Sequence, residues 1–249
     1  PPGSICSMSI PESEEAIPPY QEHLGPRSQY LRDIILGVND GLVSMFLLVV
    51  GVVGGGVSAK VVLLAGLSGA FAGAVSMAAG EYMATKSQEE AIDGELALER
   101  EHFKYYKDRE LDEVREFLGD LGVTEAAIEA VVESADEDEE VLMGLMKAFE
   151  FGVIDDGRRN PMFAMVMSGL LFLAGSLPSV LPFAFMADPD EALVVAAIGA
   201  AIGLFVVGVV KTQMTRTNPI KSGLENVAVA GIGAIVSYLI GLGYDSFVS

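Results

Sequence analysis

The chain has 249 residues, 51% of them hydrophobic, and a mean hydropathy of +0.44, yet it carries 35 acidic against 15 basic side chains and a net charge of −20. An ordinary soluble domain does not combine such hydropathy with so much charge, so the two must be segregated along the chain, and the acidic excess leaves no expectation of a nucleic-acid partner. The single cysteine, Cys6, excludes a disulfide framework within one chain.

Residues 1–27 open with "PPGSICSMSIPESEEAIPPY", a Pro-, Ser- and Glu-rich stretch that is expected to be a disordered tail. Apolar runs follow at 34–57, 61–83, 162–187, 191–210 and 227–244. Each has about 18 residues or more, enough to cross a hydrocarbon core of about 30 Å at about 1.5 Å per residue. The expected fold is therefore an all-α membrane protein. Five transmembrane helices are predicted, two within 28–83 and three within 162–249, with a small helical domain at 84–161 inserted between the second and third. Five spans put the termini on opposite faces. The tail, the insert and the 211–223 loop then hold 14 of the 15 basic residues, and Lys60 alone lies on the other side. The positive-inside bias places the N-terminus and the insert in the cytosol and the C-terminus on the far side.

The first span, "LRDIILGVNDGLVSMFLLVVGV", contains Asp40 beside Asn39. A carboxylate inside a span costs a few kcal/mol on insertion scales, about 3 at the centre, and such groups line a path or pair internally. "GGGVSAK" makes a tight turn into the second span, where Gly66, Gly69, Ala70 and Gly73 form a stripe that lets helices approach closely; Gly199 and Gly203 repeat the interval in the fourth. Such stripes pack helices within a protomer or between two, and a homodimer fits them. Met77 in the second span shares the depth of Asp40 if the two helices are neighbours, about 9 Å below the cytosolic face, and Glu81 lies one turn nearer the mouth. The two carboxylates and the thioether form a ladder suited to Fe²⁺ or Mn²⁺, with protons competing for the same oxygens. Met77 as plain packing and Glu81 as a hydrated interface residue are the simpler alternatives.

The second span runs on into "SQEEAIDGELALEREHFKYYKDRELDEVREFLGDLG" without a stop signal, and the insert holds 23 acidic and 9 basic residues. Thr124 and Ser134 are candidate caps for the helices that follow. Glu99, His102, Glu110 and Glu113 fall within an arc of about 80° on one helix face. On a continuous helix Glu99 and Glu110 would be about 16 Å apart, so a shared metal requires the chain to fold back near Tyr106–Asp108. Met146 and Glu150 offer a further pair at i,i+4. With so many acids in the insert, a solvated acidic face is the simpler account of those four positions. "RRNPM" and "RTNPI" each place an Asn cap before a first-turn proline, the mark of a helix start, and "GSLPSVLP" puts Pro178 and Pro182 where the third span bends or ends.

"GVNDGLVS", "AGAVSMAAGEYMATKSQ", "RRNP" and "TNPIKSG" together resemble the vacuolar iron transporter family over about residues 28–247. The resemblance implies a dimeric five-span protein, not an enzyme, that moves Fe²⁺ from the cytosol in exchange for protons and in some members carries other divalent metals such as Mn²⁺; Zn²⁺ and Co²⁺ are further candidates. It implies Asp40, Met77 and Glu81 as the transport path, and a cytosolic metal-binding domain using Glu99, Glu110, Glu113, Met146 and Glu150. His102 stands where the family pattern has Glu, and "KYYKD" lacks the proline that often breaks the helix there. No permanent cofactor is expected, and a vacuolar membrane follows from the resemblance alone. Two other classes remain: a membrane-anchored ferritin-like di-iron oxidase, for which one Glu99–His102 pair is too few, and a metal sensor without transport, which leaves Asp40 without a use.

Overall fold

The computed structural model describes residues 27–150 and 159–248, and among them there is no strand. The helices are α1 (Arg27–Gly54), α2 (Ala59–Asp120), α3 (Glu125–Glu137), α4 (Glu139–Glu150), α5 (Pro161–Val180), α6 (Pro182–Phe185), α7 (Pro189–Thr215) and α8 (Pro219–Val248). Five of them, α1, α2, α5, α7 and α8, are long and apolar enough to cross a membrane. The N-terminal tail lies outside the described residues.

The helix boundaries follow local chemistry. Asn160 accepts from the backbone N–H groups of Met162 and Phe163 at 2.9 and 3.2 Å, and Asn218 from Ile220 and Lys221 at 3.0 and 3.2 Å, so both Asn-Pro pairs start helices as expected. Asp188 does the same for α7 through Asp190 and Glu191. The turn between α1 and α2 places Gly56 at φ +71, a conformation that favours glycine. The third apolar run divides: α5 carries Pro178 inside it and stops at Val180, and Pro182 starts the one-turn α6. Ser134 is not a cap, because it lies inside α3; the α3–α4 break is made by Asp138, whose carboxylate accepts from the Glu140 N–H at 2.8 Å. Thr124 sits at the N-cap of α3 without a side-chain cap bond.

α1 lies at the centre, packed against α2, α5, α7 and α8. Its approach to α5 is backbone to backbone: a methyl group at Gly41 would run into the Phe172 carbonyl, and one at Gly175 into the Val38 carbonyl. The small-residue stripes are consumed inside the protomer. Gly66 seats Val180, Gly73 the Phe172 ring and Gly203 the Leu42 side chain. Close packing of this kind supplies the dispersion contact that associates helices in lipid, where tails are as apolar as leucine. Large apolar side chains instead point outward, among them Leu64, Phe71, Ile202, Ile232 and Leu239. Small residues inside and large apolar ones outside fit a lipid solvent and would be unstable in water.

The distal half of α2 belongs to a second apolar cluster. Phe103, Leu111, Val114 and Leu118 of α2 pack with Ile128 and Val132 of α3 and with Leu142 and Met146 of α4. Arg115 ties α2 to α3 through Glu129 at 3.0 Å, and also reaches Asp112 at 2.7 Å. The hydrogen bond to Glu129 is the first cause holding its guanidinium proton more tightly than usual. Lys107 adds a second tie to Asp136 at 2.7 Å.

Candidate metal centre and membrane cavity

α2 spans 62 residues, and one of them, Tyr106, departs from helical geometry at φ −137, ψ 29. This kink falls in the stretch where a fold-back was needed, without a proline. Burial offsets its cost: Phe103 on one side and Leu111 on the other enter the same apolar cluster, 6% and 7% exposed. The kink also turns the two halves of the acidic face toward each other.

Glu99, His102 and Glu110 then offer three ligand atoms that all lie within 4.8 Å of one another. Three atoms so spaced fit within a circle of radius about 2.8 Å. Carboxylate and imidazole bonds to divalent metals run from about 2.0 to 2.6 Å, so a contraction of a few tenths of an ångström would close the set around one ion. His102 Nδ1 stands 3.1 Å from Glu110 Oε1, and the Tyr106 ring meets the imidazole edge-on at 6.2 Å. Glu99 and Glu110 are almost wholly buried. A divalent cation at this point would pair with both buried carboxylates at once. Two oxygens and one imidazole nitrogen suit Fe²⁺, Mn²⁺ or Zn²⁺.

The remaining candidates of the insert are placed differently. Glu113 lies outside this cluster and pairs with Arg109 at 3.3 Å. Met146 is fully buried in the apolar cluster beside Phe103 and Leu111, the chain neighbours of His102 and Glu110. The Glu150 side chain lies outside the described residues.

In the membrane part, a cavity of about 190 Å³ opens between α1, α2 and α5. Met77 and Glu81 line it together, with Met167 and Ser168 of α5. Its mouth carries a charge cluster: Arg159, just ahead of α5, pairs with Asp33 of α1 and stands 3.4 Å from Glu81. Thr85 also donates to Glu81 at 3.5 Å. Asp40 is absent from the cavity wall. It sits one turn beyond Leu36, which does line the cavity, on the same face of α1, and it accepts from Ser44 at 2.9 Å. Asn39 is fixed from the other side, accepting from Asn226 of α8 at 2.7 Å, while Asn226 also donates to the Leu204 carbonyl at 2.8 Å.

Sequence reasoning passed over Asp33, Arg159, Met167 and Asn226. One signal was available: Asp33 precedes Asp40 by two helical turns on one face. The "RRNP" motif signals a helix cap, and nothing local to it indicates that its second arginine meets Asp33 and Glu81.

The VIT family model matches residues 31–242. Vacuolar iron transporter 1 of Tulipa gesneriana is 28% identical over 232 residues, covering 93% of this chain and 94% of that protein. The vacuolar iron transporter of Centaurea cyanus is 29% identical over 229 residues, 92% and 94% of the two chains. Protein CCC1 of Saccharomyces cerevisiae is 25% identical over 233 residues, 90% of this chain and 71% of its own. The curated relatives of this chain include transporters named for iron and the vacuole, and the family match reaches all five candidate membrane spans among the described residues: the chain belongs to the VIT family.

Proposed function

We propose that this protein is a proton-coupled divalent-metal transporter, an Fe²⁺/H⁺ antiporter that moves cytosolic iron into an acidic, vacuole-like compartment. The observation that carries the reading is the cavity among the membrane helices, where a carboxylate and a thioether, Glu81 and Met77, face one space with Asp40 one turn deeper on the adjoining helix face. Groups of this cost are not kept inside a span for packing alone. The helical insert faces the cytosol and captures metal at Glu99, His102 and Glu110, with Met146, Glu113 and Glu150 as supporting donors. Metal then passes Glu81, Met77 and Asp40, and protons from the acidic side neutralise the carboxylates and release it. The working unit is a homodimer, and Mn²⁺, Zn²⁺ and Co²⁺ compete with Fe²⁺ because the donor set is borderline in softness.

The test is Fe²⁺ flux in sealed proteoliposomes, with and without an imposed pH gradient, for the parent and for Asp40→Asn. Gradient-driven flux in the parent, lost in a folded Asp40→Asn, is the expected outcome. Flux indifferent to the gradient removes the antiport, and flux indifferent to the substitution takes Asp40 out of the path. A parent that binds metal but moves none would return the protein to the sensor class, and iron-dependent oxygen consumption would return it to the oxidase class.

A further inference from the structure

The charge cluster at the cavity mouth is asymmetric. One guanidinium nitrogen of Arg159 is paired closely with Asp33 and more loosely with Glu81, at 3.4 Å. All three side chains are about four-fifths buried, at 19%, 20% and 23% exposure. Arginine does not lose its proton in a protein, so the cation leaves Glu81 only by moving. Arg159 precedes the Asn160 cap and stands outside the helix, and a shift away from Glu81 leaves its closer pair with Asp33 in place. Behind it the cavity presents Met77 and Met167, two thioethers on facing helices, with Ser168.

We propose that Arg159 is an exchangeable counter-ion that holds the place of the metal at Glu81 and is anchored, when displaced, by Asp33. This inference rests on the reading that Glu81 and Met77 belong to the transport path. An incoming divalent cation takes Glu81 from Arg159; the guanidinium keeps its pair with Asp33; and its return to Glu81 helps expel the metal toward Met77. Arg159 is thus a positioning and gating residue, and Asp33 sets how strongly it competes with metal.

The arrangement predicts opposite effects from its two halves. Arg159→Gln removes the competitor, so the KM for Fe²⁺ flux falls about tenfold while the maximal rate also falls, between the small effect of an exposed ion pair and the large one of a buried pair. Asp33→Asn releases Arg159 fully to Glu81, so KM rises about tenfold. A purely structural tie between α1, α2 and α5 would instead lower thermal stability in both variants and leave both KM values alone or shift them the same way. The assay is Fe²⁺ flux in proteoliposomes with a melting curve for each protein, and Glu81→Gln as reference. Loss of flux in Glu81→Gln with parental KM in the other two variants overturns the counter-ion alone. Parental flux in Glu81→Gln, or none in the parent, overturns the path reading and the counter-ion with it. Should Arg159→Gln not fold, Asp33→Asn decides: a raised KM sustains the proposal, and an unchanged one ends it.

Discussion

Replacing Glu99 by Gln separates a metal centre from an acidic helix face, because only the first predicts a loss of metal affinity. Glu99 is 4% exposed, and a ligand atom of it lies within 4.8 Å of those of His102 and Glu110. Losing even an outer-shell partner of a metal ligand costs about 10- to 100-fold in affinity. Loss of a charged ligand should therefore raise Kd at least about 100-fold, or about 2.7 kcal/mol. Metal at 100 times the parental Kd stabilises the parent by about 2.7 kcal/mol, and the same concentration stabilises the variant by only about 0.4 kcal/mol. The assay is anaerobic Fe²⁺ titration of the full chain in detergent, repeated with Mn²⁺, alongside melting curves with and without metal. One class of sites should disappear from the titration, leaving those of the membrane path. Unchanged affinity and stoichiometry would refute the centre.

Gly41→Ala drives a methyl group against the Phe172 carbonyl and should cost about 1–3 kcal/mol by forcing α1 from α5. Gly80→Ala, with nothing within 4 Å of the added carbon, should be neutral or gain up to about 1 kcal/mol of helix propensity, so melting curves of the two in one detergent should diverge. Asn226→Leu removes both the bond to Asn39 and the bond to the Leu204 carbonyl and should destabilise by about 1–3 kcal/mol, read in the same way. If Asn226→Leu melts with the parent, the polar tie behind Asp40 contributes nothing.

Much of this architecture is legible along the chain because its causes are local. A run of apolar residues long enough for a bilayer is a property of consecutive residues, as is the Asn-Pro start of α5 and α8. Asp40 announces itself for the same reason, as a charge within a run of apolar residues. The acidic periodicity around Glu99 and Glu110 was visible too, but not its consequence. The kink at Tyr106 carries no proline and no glycine; it is held by Phe103 and Leu111 entering one apolar cluster with α3 and α4, and no local window contains that cluster.

The membrane cavity marks the same divide. Met77 and Glu81 share a face by helical spacing, so the sequence alone put them together. Their partners come from elsewhere: Arg159 reaches Asp33 across 126 positions, and Asn226 reaches Asn39 across 187. The small-residue stripes are equally telling. Their spacing specifies close approach and says nothing about to what, and only the packed bundle decides that Gly73 receives Phe172 and Gly203 receives Leu42. Sequence by itself determined which segments are helices, which cross lipid and which carry charge, because those depend on neighbours in the chain. Tertiary structure alone decided which charges meet, because a pairing between helices is a property of their packing.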